Sequence, residues 1–388
     1  MVSSQHRIPR DERFMRRALQ LARRGTGAVS PNPLVGAVVA RGGRIVGEGY
    51  HRVFGGRHAE VAALRAAGAR ARGATLYTNL EPCAHHGKTP PCVETVVAAG
   101  IRRVVAAMRD PDRKVFGRGF RHLRRAGVEV VVGLLAADAA RLNESFLHSV
   151  ATGRPLVTLK AGMSLDGRIA AAGGHSRWIT SPAAWLRAHR IRRSVDAVLV
   201  GVGTVVADDP RLTARPGGRV ARCQPRRVVL DGRFRMPPEA RLLAERGAGP
   251  VIIYGLDCQF RRRRRLEKAG AEVVTVPERH GQPDIGAVLS DLAGRGVQSL
   301  LVEGGGRVNG AFVEARMADR IAWFIAPRFL GAGGIPVLDG ATVDDPADSV
   351  RIEDVTVARC GPDLLVEGRL VAGDRPGERR RRVQRHRQ

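Results

Sequence analysis

The run His58-Ala59-Glu60, then Glu81-Pro82-Cys83, then Cys92 constrains this chain more than any other feature, because it gathers the donors of one metal site into a short stretch. An imidazole and two thiolates leave a tetrahedral zinc ion with a fourth position open to water, and Glu60 can carry protons without being a ligand. Such a site needs a fold that joins a helix start, a strand end and a second helix start. Residues 59–67 read as a helix with Val61, Ala62 and Leu64 on its buried side. Residues 75–78 read as a short strand; Pro82 cannot continue it, so the loop turns and presents Cys83 at the strand end. Pro90-Pro91 then place Cys92 at the start of a helix over 93–99, where the helix dipole and a neighbouring metal both favour thiolate.

Taken singly, each part has a plainer reading, a capping histidine or two inert loop cysteines. Together they match the logic of a zinc-dependent base deaminase, in which a glutamate follows the histidine ligand by two residues. That signature usually spaces its cysteines by two residues, whereas here eight intervene, Ala84-His85-His86-Gly87-Lys88-Thr89-Pro90-Pro91. A polar, cationic segment tied down between two ligands lies beside the metal, where it can touch a phosphorylated substrate. The alternative is a solvated loop.

At 388 residues the chain exceeds the usual size of one domain, so two domains with separate cores are expected. Periodicity supports two α/β units. The first alternates helices over 11–23, 59–67, 93–99 and 119–126 with strands over 34–40, 75–78, 103–107 and 129–132, implying a sheet with helices on both faces. Thr152-Gly153-Arg154-Pro155 breaks the pattern, giving expected domains of 1–150 and 151–373. Strands recur at 156–161, 197–200, 227–230, 251–254, 272–276 and 299–302. Residues 374–388 carry Arg379 to Arg382, lack apolar periodicity and read as a basic disordered tail.

The net charge of +28 raises nucleic acid as a partner. Against it, the excess is almost all arginine in a chain rich in alanine and glycine, and only 4% of residues are aromatic, too few for stacking platforms. The run Arg261 to Arg265 fits the solvated face of a helix. Five scattered cysteines do not make a disulfide framework, and Cys223, Cys258 and Cys360 read as reduced thiols of a cytoplasmic protein. No apolar run is long enough to span a bilayer, and the sequence is compatible with a homo-oligomer.

In the second unit, two glycine-rich turns follow strands: Gly201-Val202-Gly203-Thr204, and Gly304-Gly305-Gly306 ahead of a helix over 308–315. Backbone N–H groups at such turns can face a phosphate. Neither is a dinucleotide fingerprint, since the third glycine is missing from each. Phosphate binding and tight structural turns both remain open on this pattern.

The motifs Pro31-Asn32-Pro33, Gly49-Tyr50-His51, His58-Ala59-Glu60-Val61 and the whole segment 81–92 resemble the bifunctional deaminase-reductases of riboflavin biosynthesis, the long intercysteine insert being the specific part. The likeness continues through Asp110-Pro111, Leu165-Asp166-Gly167-Arg168, Trp178-Ile179-Thr180, Ala207-Asp208-Asp209-Pro210 and Val302-Glu303-Gly304-Gly305, so it covers roughly residues 10 to 370. It implies a cytidine-deaminase-like three-layer α/β/α domain followed by a dihydrofolate-reductase-like α/β domain. The implied activities are hydrolytic deamination of 2,5-diamino-6-(5-phosphoribosylamino)pyrimidin-4-one at a zinc site, then NADPH-dependent reduction of ribosyl to ribityl. A zinc nucleotide or nucleic-acid deaminase with a non-catalytic second domain is the competing reading; the insert and the reductase-like motifs argue against it.

Residue by residue, the resemblance makes His58, Cys83 and Cys92 zinc ligands, Glu60 the proton shuttle, and Asn32, His51, His85, Lys88 and Asp110 contacts to the deaminase substrate. It assigns Trp178, Thr204, Asp208 and Gly305, Gly306, Arg307, Val308, Asn309, Gly310 and Ala311 to NADPH, and Ser176, Arg192, Leu212, Arg215 and Glu303 to the reductase substrate. Arg192 and Arg215 suit a ribose phosphate and Glu303 suits amino or hydroxyl donors; Asp208, beside Asp209, equally suits a helix or turn cap. No residue of this half stands out as a proton donor. The chain departs from the family pattern at Ala84 (usually Ser), at Asp112-Arg113 (usually Asn-Pro) and at Trp185, a position often basic.

Overall fold

A computed structural model describes residues 4–371 apart from 85–90, 114, 246 and 248, with the side chains of 4–9 also left aside. The expected tail, 374–388, lies outside these residues. The chain divides into two compact units between Arg154 and Pro155.

Unit 1 is a five-stranded sheet covered on both faces. Strands β1 (Gly36–Arg41) and β2 (Arg44–Tyr50) form a hairpin; β3 (Thr75–Thr78) runs antiparallel to β1, and β4 (Arg103–Ala106) and β5 (Glu129–Val132) continue in parallel, giving the order β2-β1-β3-β4-β5. The two-residue period of β1 makes the layers: Ala37 and Val39 point to one face, Val38 and Ala40 to the other. On the first face lie α2 (Ala59–Ala67), α3 (Cys92–Ala98) and α4 (Arg118–Arg125), through Ala63, Leu64, Val93, Val96 and Leu123. On the second lie α1 (Ser4–Ala22), through Phe14, Met15 and Ala18, and α5 (Ala136–Leu142), through Ala139; α6 (Glu144–Thr152) ends the unit.

Helix α2 keeps its expected bounds, but its buried stripe is Ala59, Ala63, Leu64 and Ala67, with Val61 and Ala62 only half-buried. The rotation follows from the close approach of β2. A Cβ on Gly47 or Gly49 would fall 2.3 or 2.5 Å from the Ala63 or Ala59 carbonyl oxygen, so the strand can lie against the helix only because both are glycine. Strand β2 is an element the sequence pattern did not indicate, as are α5 and α6. Helix α1 begins seven residues ahead of the expected start at 11.

Unit 2 is a nine-stranded sheet. Its strands are β6 (Leu156–Ser164), β8 (Ala197–Gly201), β9 (Arg226–Leu230), β10 (Val251–Gly255), β11 (Glu272–Thr275), β12 (Ser299–Val302), β13 (Arg320–Ala326), β14 (Arg351–Cys360) and β15 (Asp363–Val371); a short β7 (Arg168–Ala170) pairs outside it with Ile335–Pro336. The order is β11-β10-β9-β8-β12-β6-β13-β15-β14, with seven parallel strands followed by an antiparallel hairpin. Helices α7 (Pro182–Ser194), α8 (Val202–Asp208), α9 (Phe260–Lys268), α10 (Ile285–Gly294) and α11 (Gly306–Glu314) cover it. Val288, Leu289, Leu292 and Phe312 pack on one face, and Val202, Val205, Leu242 and Leu266 on the other. The chain leaves β8 toward β9 while β12 inserts between β8 and β6, so the C-terminal ends of β8 and β12 flank a switch in winding direction, where open α/β sheets place ligands.

Candidate functional site

The candidate metal ligands of unit 1 come from three separate elements. His58 is the residue preceding α2, and its side chain makes no capping bond to the helix. Cys83 sits in the loop after β3, and Cys92 opens α3. His58 Nδ1 lies 3.1 Å from Cys92 Sγ and 3.5 Å from Cys83 Sγ, and the three candidate ligand atoms all fall within 4.8 Å of one another. Zinc bonds of about 2.3 Å to sulfur and about 2.0 Å to nitrogen set tetrahedral edges of about 3.5 to 3.8 Å, so the donor set fits a zinc ion with little adjustment. The two thiols share a hydrogen bond. Hydrogen bonds from Cys92 and His58 hold Cys83 down at about 4, and the same sharing, with burial, drives the Cys92 thiol upward.

Glu60, in the first turn of α2, is 3% exposed and its Oε2 lies 3.7 Å from Cys92 Sγ. Burial and the Cys83 charge push its carboxyl up to about 7, where it can both take and give a proton near neutral pH. His51 is equally buried; its Nε2 meets the Asn32 amide at 3.1 Å and its Nδ1 the Arg57 carbonyl at 3.0 Å, so it donates at Nδ1 and accepts at Nε2. The two histidine rings stand edge to face, 5.6 Å between centroids. Asn32 and His51 thus form one wall beside the ligands. His85 and Lys88 lie outside the described residues.

Glu81 is a residue whose role the sequence did not suggest. It is 3% exposed, and its carboxylate accepts three main-chain N–H groups, from Asp110 (3.3 Å), Gly117 (3.0 Å) and Phe120 (3.2 Å). It ties the loop ahead of α4 to the strand end that carries Cys83. Asp110, itself buried, is held through that bond and accepts the Asp112 N–H at 2.9 Å.

In unit 2 the two glycine-rich segments meet. The expected turn at 201–204 is instead the start of α8, and α11 begins at Gly306, two residues earlier than expected. A Cβ built on Gly305 would lie 4.0 Å from Thr204 Oγ1, and one on Gly201 would lie 2.7 Å from Val308 Cγ2, so the two helix starts adjoin. Within 305–311 the residues divide by face. Gly306 and Gly310 back onto the main chain of Pro336 and Asp339, and Asn309 is fully buried with its amide on the Val337 carbonyl. Gly305, Arg307, Val308 and Ala311 stay accessible. At the other end of α8, Asp208 accepts the Ser176 hydroxyl at 3.0 Å, and the nearby Trp178 is 78% exposed.

The charged centre of this half is Glu303. Arg192 grips it with Nε at 2.8 Å and Nη2 at 2.9 Å, and Lys160 Nζ approaches to 3.4 Å. Although burial opposes ionisation, these cations hold the Glu303 carboxyl well below the usual range. Lys160 is the group the sequence reading lacked. Along β6 Val157, Leu159, Ala161 and Met163 are buried, which puts Lys160 on the opposite face of the strand, its ammonium 5.9 Å from the Phe324 ring. Arg192 also donates to the Thr213 carbonyl at 2.9 Å. Arg215 is half-buried and makes no ion pair among the described residues; burial and the neighbouring Arg192 and Arg211 lower its pKa, so the site is electrostatically ready for an anion. Leu212 is buried in the core with φ +55°.

Comparisons with known proteins agree with both halves. Residues 8–108 match the cytidine and deoxycytidylate deaminase zinc-binding region, and residues 155–366 match the RibD C-terminal domain. The riboflavin biosynthesis protein RibD of Bacillus amyloliquefaciens is 44% identical over 91% of this chain and 95% of its own length. That of Escherichia coli (strain K12) is 40% identical over 92% and 98%. Among solved structures, Acinetobacter baumannii RibD superposes with a TM-score of 0.85 at 35% identity, covering 94% of this chain and 99% of that one. A diaminohydroxyphosphoribosylaminopyrimidine deaminase/5-amino-6-(5-phosphoribosylamino)uracil reductase from Thermotoga maritima gives 0.81 at 37%, covering 94% and 100%. No helix among the described residues is long and apolar enough to cross a membrane. With a deaminase zinc-binding region in its first half, a reductase domain in its second and full-length relatives that carry both, the chain belongs to the RibD family of riboflavin biosynthesis proteins.

Proposed function

We propose that unit 1 deaminates 2,5-diamino-6-(5-phosphoribosylamino)pyrimidin-4-one and that unit 2 reduces the resulting 5-amino-6-(5-phosphoribosylamino)uracil to its ribityl form with NADPH. The observation that carries the first half is the buried cluster of His58, Cys83, Cys92 and Glu60. Zinc held by the first three supplies the positive charge that lets water lose a proton near neutral pH. Glu60 takes that proton at a carboxylate oxygen as water adds to the carbon bearing the amino group, and returns it to the nitrogen that leaves as ammonia. Asn32 and His51, fixed by their mutual hydrogen bond, orient the pyrimidine.

In unit 2 the main-chain N–H groups at the helix starts around Thr204 and Gly305 would hold the phosphates of NADPH, which would supply the hydride. Arg215, without a carboxylate partner among the described residues, takes the ribose phosphate. Glu303, kept ionised by Arg192 and Lys160, accepts hydrogen bonds from the substrate. Lys160 is the donor placed to protonate the sugar oxygen as the ring opens, and its pairing to Glu303 holds the ammonium in place. The deciding experiment incubates the protein with the diaminopyrimidinone ribotide, with and without NADPH, and follows products by mass. A deaminated product without NADPH and a deaminated ribityl product with it are expected; deamination alone under both conditions would leave unit 2 without this activity.

A further inference from the structure

Three residues of α7, Trp185, His189 and Arg192, recur at i, i+4 and i+7 and so share one side of the helix. All three reach the segment that carries Arg215. Arg192 donates to the Thr213 carbonyl at 2.9 Å. His189, 2% exposed, accepts the Arg215 main-chain N–H on Nδ1 at 3.0 Å, which fixes the ring as the neutral tautomer protonated at Nε2. Trp185 stands edge to face on His189, with centroids 4.2 Å apart, and the Arg215 guanidinium carbon lies 6.0 Å from its ring centroid. From the far side Gln224 braces Ala214, accepting its N–H at 2.7 Å and donating to its carbonyl at 3.0 Å.

We propose that Trp185 and His189 are positioning residues of the reductase half, setting segment 213–215 so that the Arg215 guanidinium meets the substrate phosphate. The proposal rests on the reading of Arg215 as the phosphate-binding residue. The electrostatics give the arrangement its sense. Arg192 and Arg211 already crowd Arg215 with like charge. A cation at position 185 would add to that crowding, whereas the indole offers a π face that attracts the guanidinium. The imidazole supplies the acceptor that pins the arginine main chain without adding a charge.

The test is steady-state kinetics of the whole protein on 5-amino-6-(5-phosphoribosylamino)uracil at saturating NADPH, for His189→Leu, His189→Gln, Trp185→Leu and Arg215→Gln. Loss of one buried acceptor or one cation–π contact corresponds to a change of about five- to tenfold. His189→Leu is therefore expected to raise KM about tenfold and Trp185→Leu about fivefold, with kcat held within about twofold. His189→Gln, which keeps an acceptor amide, is expected to recover KM to within about threefold of wild type. NADPH titration of each variant reports whether the half remains folded. If Arg215→Gln raises KM while His189→Leu and Trp185→Leu do not, or if those two lower kcat with KM unmoved, the positioning role is wrong and the parent reading stands. If Arg215→Gln itself leaves KM unchanged, the phosphate reading falls and takes the proposal with it.

Discussion

In unit 1 the reacting groups span 34 positions, from His58 to Cys92, and are of types that chemistry seldom leaves idle, whereas in unit 2 Lys160 and Glu303 meet across 143 positions and are common surface types. Unit 1 draws its side chains from a strand end and two adjoining helix starts, so local sequence nearly dictates the constellation. Unit 2 assembles its charged centre by parallel pairing of β6 with β12, and only the completed sheet puts the residues side by side. A site of the first kind is lost through its rare residues. One of the second kind depends as much on the sheet that brings its common residues together.

The sharpest break in this comparison comes from unit 1. Glu60→Gln is expected to retain its zinc and lose deaminase turnover by a factor on the order of 10² or more, while Cys83→Ala loses the metal itself; metal analysis alongside turnover separates the two, and full zinc occupancy in Cys83→Ala would overturn the ligand assignment. In unit 2, Lys160→Met is expected to lower ribityl formation about a hundredfold with NADPH binding intact, as for loss of a general acid. Single-turnover reduction reads that directly, and an unchanged rate would move the proton donor elsewhere.

A smaller effect concerns stability. Glu81→Ala deprives three main-chain N–H groups, two of them buried, of this acceptor and is expected to cost about 2 to 3 kcal/mol in unit 1, read as a lower unfolding midpoint and weaker zinc retention. A midpoint equal to wild type would mean that the loop is held by other means.

The mildest prediction is a pH effect in unit 2. Burial first, then the Arg192 and Arg215 charges, with Lys160 in the same sense and Glu303 opposing, hold His189 down at about 4 from an ordinary 6.5. Its folded pKa is depressed, so the unfolded chain binds the extra proton first. The contribution is present above 6.5 and is lost as pH falls toward 4. His189→Gln is therefore expected to narrow its stability gap to wild type on acidification through that window; a gap constant with pH would show that the ring is not held neutral.

What could be read from sequence follows the same division. The cluster of His58, Cys83 and Cys92 with Glu60 beside it was legible because histidine, cysteine and glutamate at that spacing have few other uses together. Lys160 was not, since a lysine in an otherwise apolar run reads as a surface residue until the strand's facing is known. Strand β2 was hidden by Gly47 and Gly49, which lower strand propensity and are present so that α2 can approach. Strands β13 to β15 escaped for opposite reasons: β13 is apolar nearly throughout, and β14 is exposed along almost its whole length, so neither shows the alternation that marks a half-buried strand. The face-by-face division of 305–311 depends on what packs behind α11, which no local pattern specifies.

The Glu81 carboxylate has a consequence for how this enzyme can vary over time. Among the described residues it grips the 110–120 segment by main-chain N–H groups, which every residue except proline supplies. The exposed side chains between those anchor points, Arg113, Phe116 and Arg118, take no part in that grip, whereas Gly119 is fixed, since a Cβ there would fall 2.0 Å from the Pro82 carbonyl oxygen beside Cys83. Exposed Arg113, in the Asp112-Arg113 pair that stands where relatives of this kind usually carry Asn-Pro, is one such position. For anyone seeking to retune substrate preference, the loop offers replaceable positions on a fixed frame, a few residues from a metal centre that tolerates almost none.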